Sequence, residues 1–114
     1  MNLKIKRITG LVRTSGQIDR TLRSQGFISK ERLPPVYDIR IQDSASGRAY
    51  RLRIPTRIYL GGNGKNGSFL RLGKPSIACS DGKGNIPDSV FEAANHILAE
   101  IVSYLQPSPG SSRY

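Results

Sequence analysis

Tryptophan is absent from this 114-residue chain, and cysteine, histidine and methionine each occur once. A single cysteine, Cys79, excludes an intramolecular disulfide and any zinc site built on paired thiolates, and it fits a reducing compartment. A single histidine, His96, leaves a metal site to be assembled from carboxylates alone, so neither a metal nor a cofactor is expected. Acids are scarce as well, 8 against 18 Lys and Arg. They are scattered, with no obvious pair for general acid–base work, and there is no G-x-S-x-G nucleophile elbow. No window approaches the ~18 apolar residues of a membrane span. The N-terminus, M-N-L-K-I-K-R-I-T-G, lacks the apolar core of roughly 7–15 residues that a signal peptide needs, so the chain reads as cytoplasmic.

What the chain does have is positive charge, distributed unevenly. Its net charge is +10; residues 1–75 hold 16 Lys and Arg against four acids, a net of +12, and residues 76–114 hold two against four, a net of −2. Such a field attracts polyanions, although a solvated basic surface would look the same in sequence.

Period-2 alternation is the clearest structural signal and occupies residues 36–73. If Ser44-Ala45-Ser46-Gly47 closes a hairpin with Asp43 opposite Arg48, then Ile41 meets Tyr50, Ile39 meets Leu52 and Tyr37 meets Ile54 on one face. The other face carries Arg40 across from Arg51 and Asp38 across from Arg53. A slip of one residue would expose every apolar side chain, so the register is strongly specified. In a second hairpin, with Leu60 opposite Ser68, Ile58 meets Leu70 and Thr56 meets Leu72 inside, while Tyr59 meets Phe69 and Arg57 meets Arg71 outside. Inward parity runs unbroken through Pro55, which predicts one long strand from 48 to 60. Because proline donates no ladder hydrogen bond, Pro55 should lie at a bend, a bulge or an edge.

Two helices are expected. Thr14 or Ser15 caps the first, whose interior Q-I-D-R-T-L-R-S-Q buries Ile18 and Leu22 and ends at Gly26 in the left-handed conformation. The second runs from about 87 to 105, with Pro87 in its first turn and Asp88 near its positive end. At about 100° per residue, Val90, Phe91, Ala94, Ile97, Leu98 and Ile101, with Val102, Tyr104 and Leu105, share one wide arc. That arc must cover the inner face of the sheet. Residues 3–12 read as a short strand or extended arm, S-I-A-C (76–79) as a short edge strand, and the polar tail 107–114 as flexible beside a single domain of residues 1–106.

Three features could carry chemistry. Gly62, Gly64 and Gly67 match G-x-G-x-x-G, but a dinucleotide fingerprint needs a helix to follow, and here a strand does; the loop reads as a hairpin connection. Cys79 reads as a packed residue and His96 as an exposed one, so no catalytic residue is assigned. The outer sheet face remains, with Arg40, Arg51, Arg53, Arg57 and Arg71 around Tyr59 and Phe69. Guanidinium groups bind phosphates bidentately and exposed aromatics stack unpaired bases. Alternatively, a second copy of the chain could cover the aromatics, or the N-terminal helix could cover part of the face.

The runs I-D-R-T-L-R-S-Q-G-F (18–27), Y-D-I-R-I (37–41), Y-R-L-R-I-P (50–55), L-R-L-G-K-P (70–75) and I-P-D-S-V (86–90) resemble the YugN-like family of small proteins from Bacillus and its relatives. The departure lies before the first long strand, where R-L-P-P-V stands in place of a tryptophan-containing approach. The resemblance implies an α+β fold and a bacterial cytoplasm, and it supplies no site residues. The expected fold is therefore an antiparallel sheet of four to five strands, packed on one face by a C-terminal helix, with a short N-terminal helix. The expected function is a non-enzymatic, self-associating binding module. The alternatives are binding of RNA or another polyanion through the arginine and aromatic face, and a small enzyme that no motif supports.

Overall fold

The computed structural model describes residues 2–30, 33–59, 69–80, 82 and 84–105. Its elements are β1 (Val12–Thr14), α1 (Ser15–Ser24), β2 (Ile28–Ser29), β3 (Val36–Gln42), β4 (Ala49–Tyr59), β5 (Phe69–Leu72), β6 (Ser76–Cys79) and α2 (Asp88–Leu105). All pairings are antiparallel; the strands run β1-β5-β4-β3-β2, and β6 also pairs with β4. Residues 106–114, and with them the predicted tail, lie outside the described residues, as do the glycine loop and the Leu60–Ser68 pair.

The hairpin register is the one that alternation demands. Tyr37, Ile39 and Ile41 pair with Ile54, Leu52 and Tyr50, and Thr56 and Ile58 with Leu72 and Leu70. Asp43 and Ser46 shape the first turn: the Asp43 amide donates to the Arg48 carbonyl at 2.8 Å, and the Ser46 hydroxyl donates to the Asp43 carboxylate at 2.6 Å. Gly47, at φ +76°, supplies the left-handed residue that such a turn requires.

Pro55 resolves into a bulge. Between the pairs Thr56↔Leu72 and Arg53↔Ser76, two residues of β4 face three of the opposing chain, 73–75. In an antiparallel strand a residue's N–H and C=O point toward the same neighbour. The Pro55 carbonyl accepts from the Gly73 amide at 2.8 Å, so the missing proline donor faces the bulge and no ladder bond to β3 is lost. β5 and β6 are thus two halves of one strand, interrupted where Pro55 cannot pair. Gly73 is confined there, since a Cβ on it would lie 3.0 Å from Pro55 Cγ and 3.3 Å from the Pro55 carbonyl oxygen.

Both helices pack on the inner face. In α1, the Thr14 hydroxyl accepts from the Gln17 amide at 3.2 Å, and the other end closes with Gly26 N–H to Arg23 O and Phe27 N–H to Leu22 O, both 3.0 Å, around Gly26 at φ +101°. Ile18 and Leu22 of α1, Val90, Ala94, Leu98 and Ile101 of α2, and the inward strand residues form one hydrophobic cluster. Burying each large side chain contributes about 1.5–3 kcal/mol. Arg13, inward on β1, donates from Nε to the Leu105 carbonyl at 2.6 Å. α2 has no basic residue in its last turn, so Arg13 supplies the cation that its C-terminus favours.

Two burials expected in the long helix and the long strand fail. Tyr104 is 60% exposed, because it lies about 90° from the centre of the buried arc. Ile58 is 42% exposed: it shares a row with Leu70 and Arg13, and α2 ends over that row. Residues 3–5 are an extended arm as expected, but a turn follows at 6–10, with Ile8 fully buried, and strand structure starts only at Val12.

A polar clamp ties α1 to the sheet. The Tyr37 hydroxyl donates to Asp19 at 2.8 Å, and Arg23 binds both Asp19 oxygens at 3.0 and 3.1 Å and the Ser29 hydroxyl at 2.9 Å. Burial, then the bond to Asp19, pushes the Tyr37 phenol well above its ordinary value. Because the folded-state value is raised, the clamp's contribution to stability is complete below about pH 10 and declines as pH climbs beyond it. Tyr37→Phe should cost about 1 kcal/mol at neutral pH. Above pH 10 wild type should lose stability and the gap to the variant should close, as urea melts across pH will show. Gly73→Ala should cost about 1–3 kcal/mol by forcing Pro55 aside, measured in the same melts.

Candidate nucleic-acid interface

Strand pairing, which alternates side chains across the sheet, determines what shares the outer face. Along β4 that face presents Arg51, Arg53, Pro55, Arg57 and Tyr59; β3 adds Asp38 and Arg40, and β5 adds Phe69 and Arg71. All seven residues singled out from sequence therefore lie on one face. Because α1 and α2 both pack on the other side, neither covers it, and the reading in which the N-terminal helix did so is corrected. That helix bonds through Asp19 to Tyr37, an inward residue, and the ring of buried contacts around Ile18 and Leu22 holds it there.

The bulge opposite Pro55 divides the face. One half holds Arg40, Arg51 and Arg53; the other holds Arg57, Arg71, Tyr59 and Phe69. From Arg51 to Arg57 the row extends about 20 Å, at about 3.3 Å per residue. Sequence reasoning missed several members of the face. Val12 and Thr14 join it through pairing of β1 with Arg71 and Phe69, Ile28 through Asp38, and Ser76 and Ala78 through Arg53 and Arg51. The first strand is only three residues long, too short for alternation to signal it.

The five arginines are not equivalent. Arg51 Nη1 donates to Asp38 Oδ1 at 2.7 Å, and the Asp38 side chain is only 7% exposed, so this arginine neutralises a buried carboxylate. Arg71 lies with its guanidinium carbon 5.3 Å from the Tyr59 ring centroid, a cation–π contact. Arg40, Arg53 and Arg57 are exposed and have no acidic partner among the described residues. Arg40 stands directly opposite Arg51, and Arg57 opposite Arg71. Like charges so placed repel by about 0.2–1 kcal/mol per pair. The face is thus built with a standing electrostatic cost that an anion laid across it would remove.

The other candidates are placed elsewhere. Cys79 is a buried free thiol on the inner face, paired with Tyr50. His96 is 77% exposed, with Nε2 3.9 Å from Glu100 Oε1. Among the described residues no group of three or more His, Cys, Asp or Glu side chains is placed to hold a metal ion, and no helix is long and apolar enough to cross a membrane.

An antiparallel sheet with two helices on one side and an open basic side defines a small α+β protein. No protein-family model matches the chain, and no curated protein matches it. Among solved structures, the crystal structure of the uncharacterised conserved protein YugN from Geobacillus kaustophilus HTA426 is similar, with a TM-score of 0.71 and 17% sequence identity over 91% of this chain and 95% of that one. The fold is YugN-like, as the sequence resemblance implied, and the likeness speaks to fold alone.

Replacing one member of a like-charge pair should show the cost directly. Arg57→Glu should raise stability by about 0.5 kcal/mol at low salt, an advantage that vanishes as salt screens it. Arg51→Ala should instead lose about 1–3 kcal/mol, because Asp38 is left buried without its partner. Urea melts at two ionic strengths separate the two roles.

Proposed function

We propose that this protein binds single-stranded RNA through the outer face of its sheet. The observation that carries the reading is the juxtaposition of exposed Arg40, Arg53 and Arg57, without an acidic partner among the described residues, with the Arg71–Tyr59 stack on a face that neither α1 nor α2 covers. Guanidinium forks bind phosphate oxygens, and both aromatic rings and guanidinium planes offer surfaces on which unpaired bases stack. A row of about 20 Å spans several nucleotides, within the usual footprint of about 4–16 for such platforms. The single buried thiol supports a reducing, cytoplasmic setting.

Self-association through the same face is less well supported. A two-fold contact would bring the five arginines of one copy against the five of the next, with Asp38 the only acid on that face among the described residues and already paired to Arg51. The desolvation and repulsion would exceed what covering Tyr59 and Phe69 returns. Catalysis is unsupported, because Cys79 is buried in the core and His96 stands in solvent.

The test uses fluorescence anisotropy with a labelled oligouridine of about ten nucleotides. With four arginines engaged, log K should fall against log salt with a slope of about −3. Arg53→Glu with Arg57→Glu, which spares the Asp38 pair, should abolish binding. Tyr59→Ala should weaken oligouridine by about fivefold or more, as the loss of about 1–3 kcal/mol of stacking requires, and leave heparin binding unchanged. Wild type that shows no salt-sensitive binding, or light scattering that reports a dimer which Arg57→Glu strengthens, overturns the reading.

A further inference from the structure

A second concavity lies on the helical side of the molecule, remote from the arginine face and independent of any role for it. The extended N-terminal arm crosses α2 and is held there by one side chain. The Asn95 carboxamide accepts from the Lys4 amide at 2.7 Å and donates to the Asn2 carbonyl at 3.0 Å, bonding the arm as a neighbouring strand would. Leu3 and Ile5 of the arm and Leu98 and Val102 of α2 form the walls. Between them the helix presents Ala99, whose single methyl leaves the space open. The cavity measures about 470 Å³, within the range of roughly 300–1,000 Å³ typical of small-molecule sites.

Its charge is one-sided. Lys4, Lys6 and Arg7 border it, and none of its lining residues is acidic. The three cations are exposed and have no ion-pair partner among the described residues. An apolar slot with a purely cationic border matches a molecule with an aliphatic body and an anionic head. Burial of the chain gives such a ligand its affinity, and the border selects the head by charge. We propose that the groove between the N-terminal arm and α2 binds a single-chain anionic amphiphile, with its aliphatic chain along Leu3, Ile5, Leu98 and Val102 and its head among Lys4, Lys6 and Arg7.

Decanoate, decyl phosphate and decyltrimethylammonium share a chain and differ in the head, so titrating each into the ¹⁵N-labelled full-length protein tests the assignment. The two anions should shift the amides of Ile5, Ala99 and Val102 in a saturable way, the tighter of them identifying a carboxylate or a phosphate head, and the cation should leave these amides unmoved. Ala99→Trp should fill the groove and abolish binding. A folded spectrum for this variant is expected, because Ala99 is exposed on α2. Should it misfold, Lys4→Gln with Lys6→Gln and Arg7→Gln keeps the apolar walls intact. That triple variant should weaken the anions by about tenfold or more, as the loss of one charge-assisted contact requires. Equal binding of the cation, unchanged affinity in the triple variant, or shifts confined to β4 overturns the proposal.

Discussion

The hydrogen bond from the Gly73 amide to the Pro55 carbonyl, 2.8 Å long, is the point on which the rest of the sheet turns. Pro55 interrupts the ladder in the middle of the longest strand, and the chain answers with one extra residue on the opposing side. Parity on β4 is untouched, so its inward residues remain inward from Tyr50 to Thr56. Parity on the opposing strand flips, which is why the outward residues are Phe69 and Arg71 in β5 but Ser76 and Ala78 in β6. A regular ladder would need a donor that proline lacks, and a side chain on residue 73 would strike the proline ring.

From that constraint follows a sheet with two unlike faces. The inner face takes both helices, and three cations serve the fold on its two sides. Arg13 closes the end of α2, Arg23 completes the clamp on Tyr37 and Asp19, and Arg51 neutralises Asp38. Of the cations left over on the outer face, Arg57 and Arg71 stand opposite one another and Arg40 stands opposite Arg51, like-charge pairs that cost stability. The proposed RNA binding rests on these residues. The fold itself carries no such argument, since one architecture hosts many functions.

Much of this was legible in the sequence where the physics is local. Tyr37, Ile39 and Ile41 against Ile54, Leu52 and Tyr50 followed from a period of two and a turn of fixed length, because only one register buries all six. Thr14, Gly26 and the buried side of α2 followed from capping chemistry and helical spacing. The seven residues of the outer face were named from parity alone. Tyr104 and Ile58 were misplaced because periodicity states direction and says nothing of where a neighbouring element ends.

The sequence by itself determined β3 to β6, the register of the two hairpins and the sign of the charge on their outer face, since each depends on residues close along the chain or joined by a short turn. Only the tertiary structure decided which face α1 would cover, that β1 would extend the sheet beside β5, and that Pro55 would become a bulge and not an edge. It also decided that Arg13 would meet Leu105 and Asn95 would meet Asn2 and Lys4, contacts between residues more than 90 positions apart. Such contacts have no sequence period to announce them. They follow from the packing of two helices on one side of a sheet, which also creates the groove beneath the N-terminal arm and leaves the arginine face uncovered by either helix.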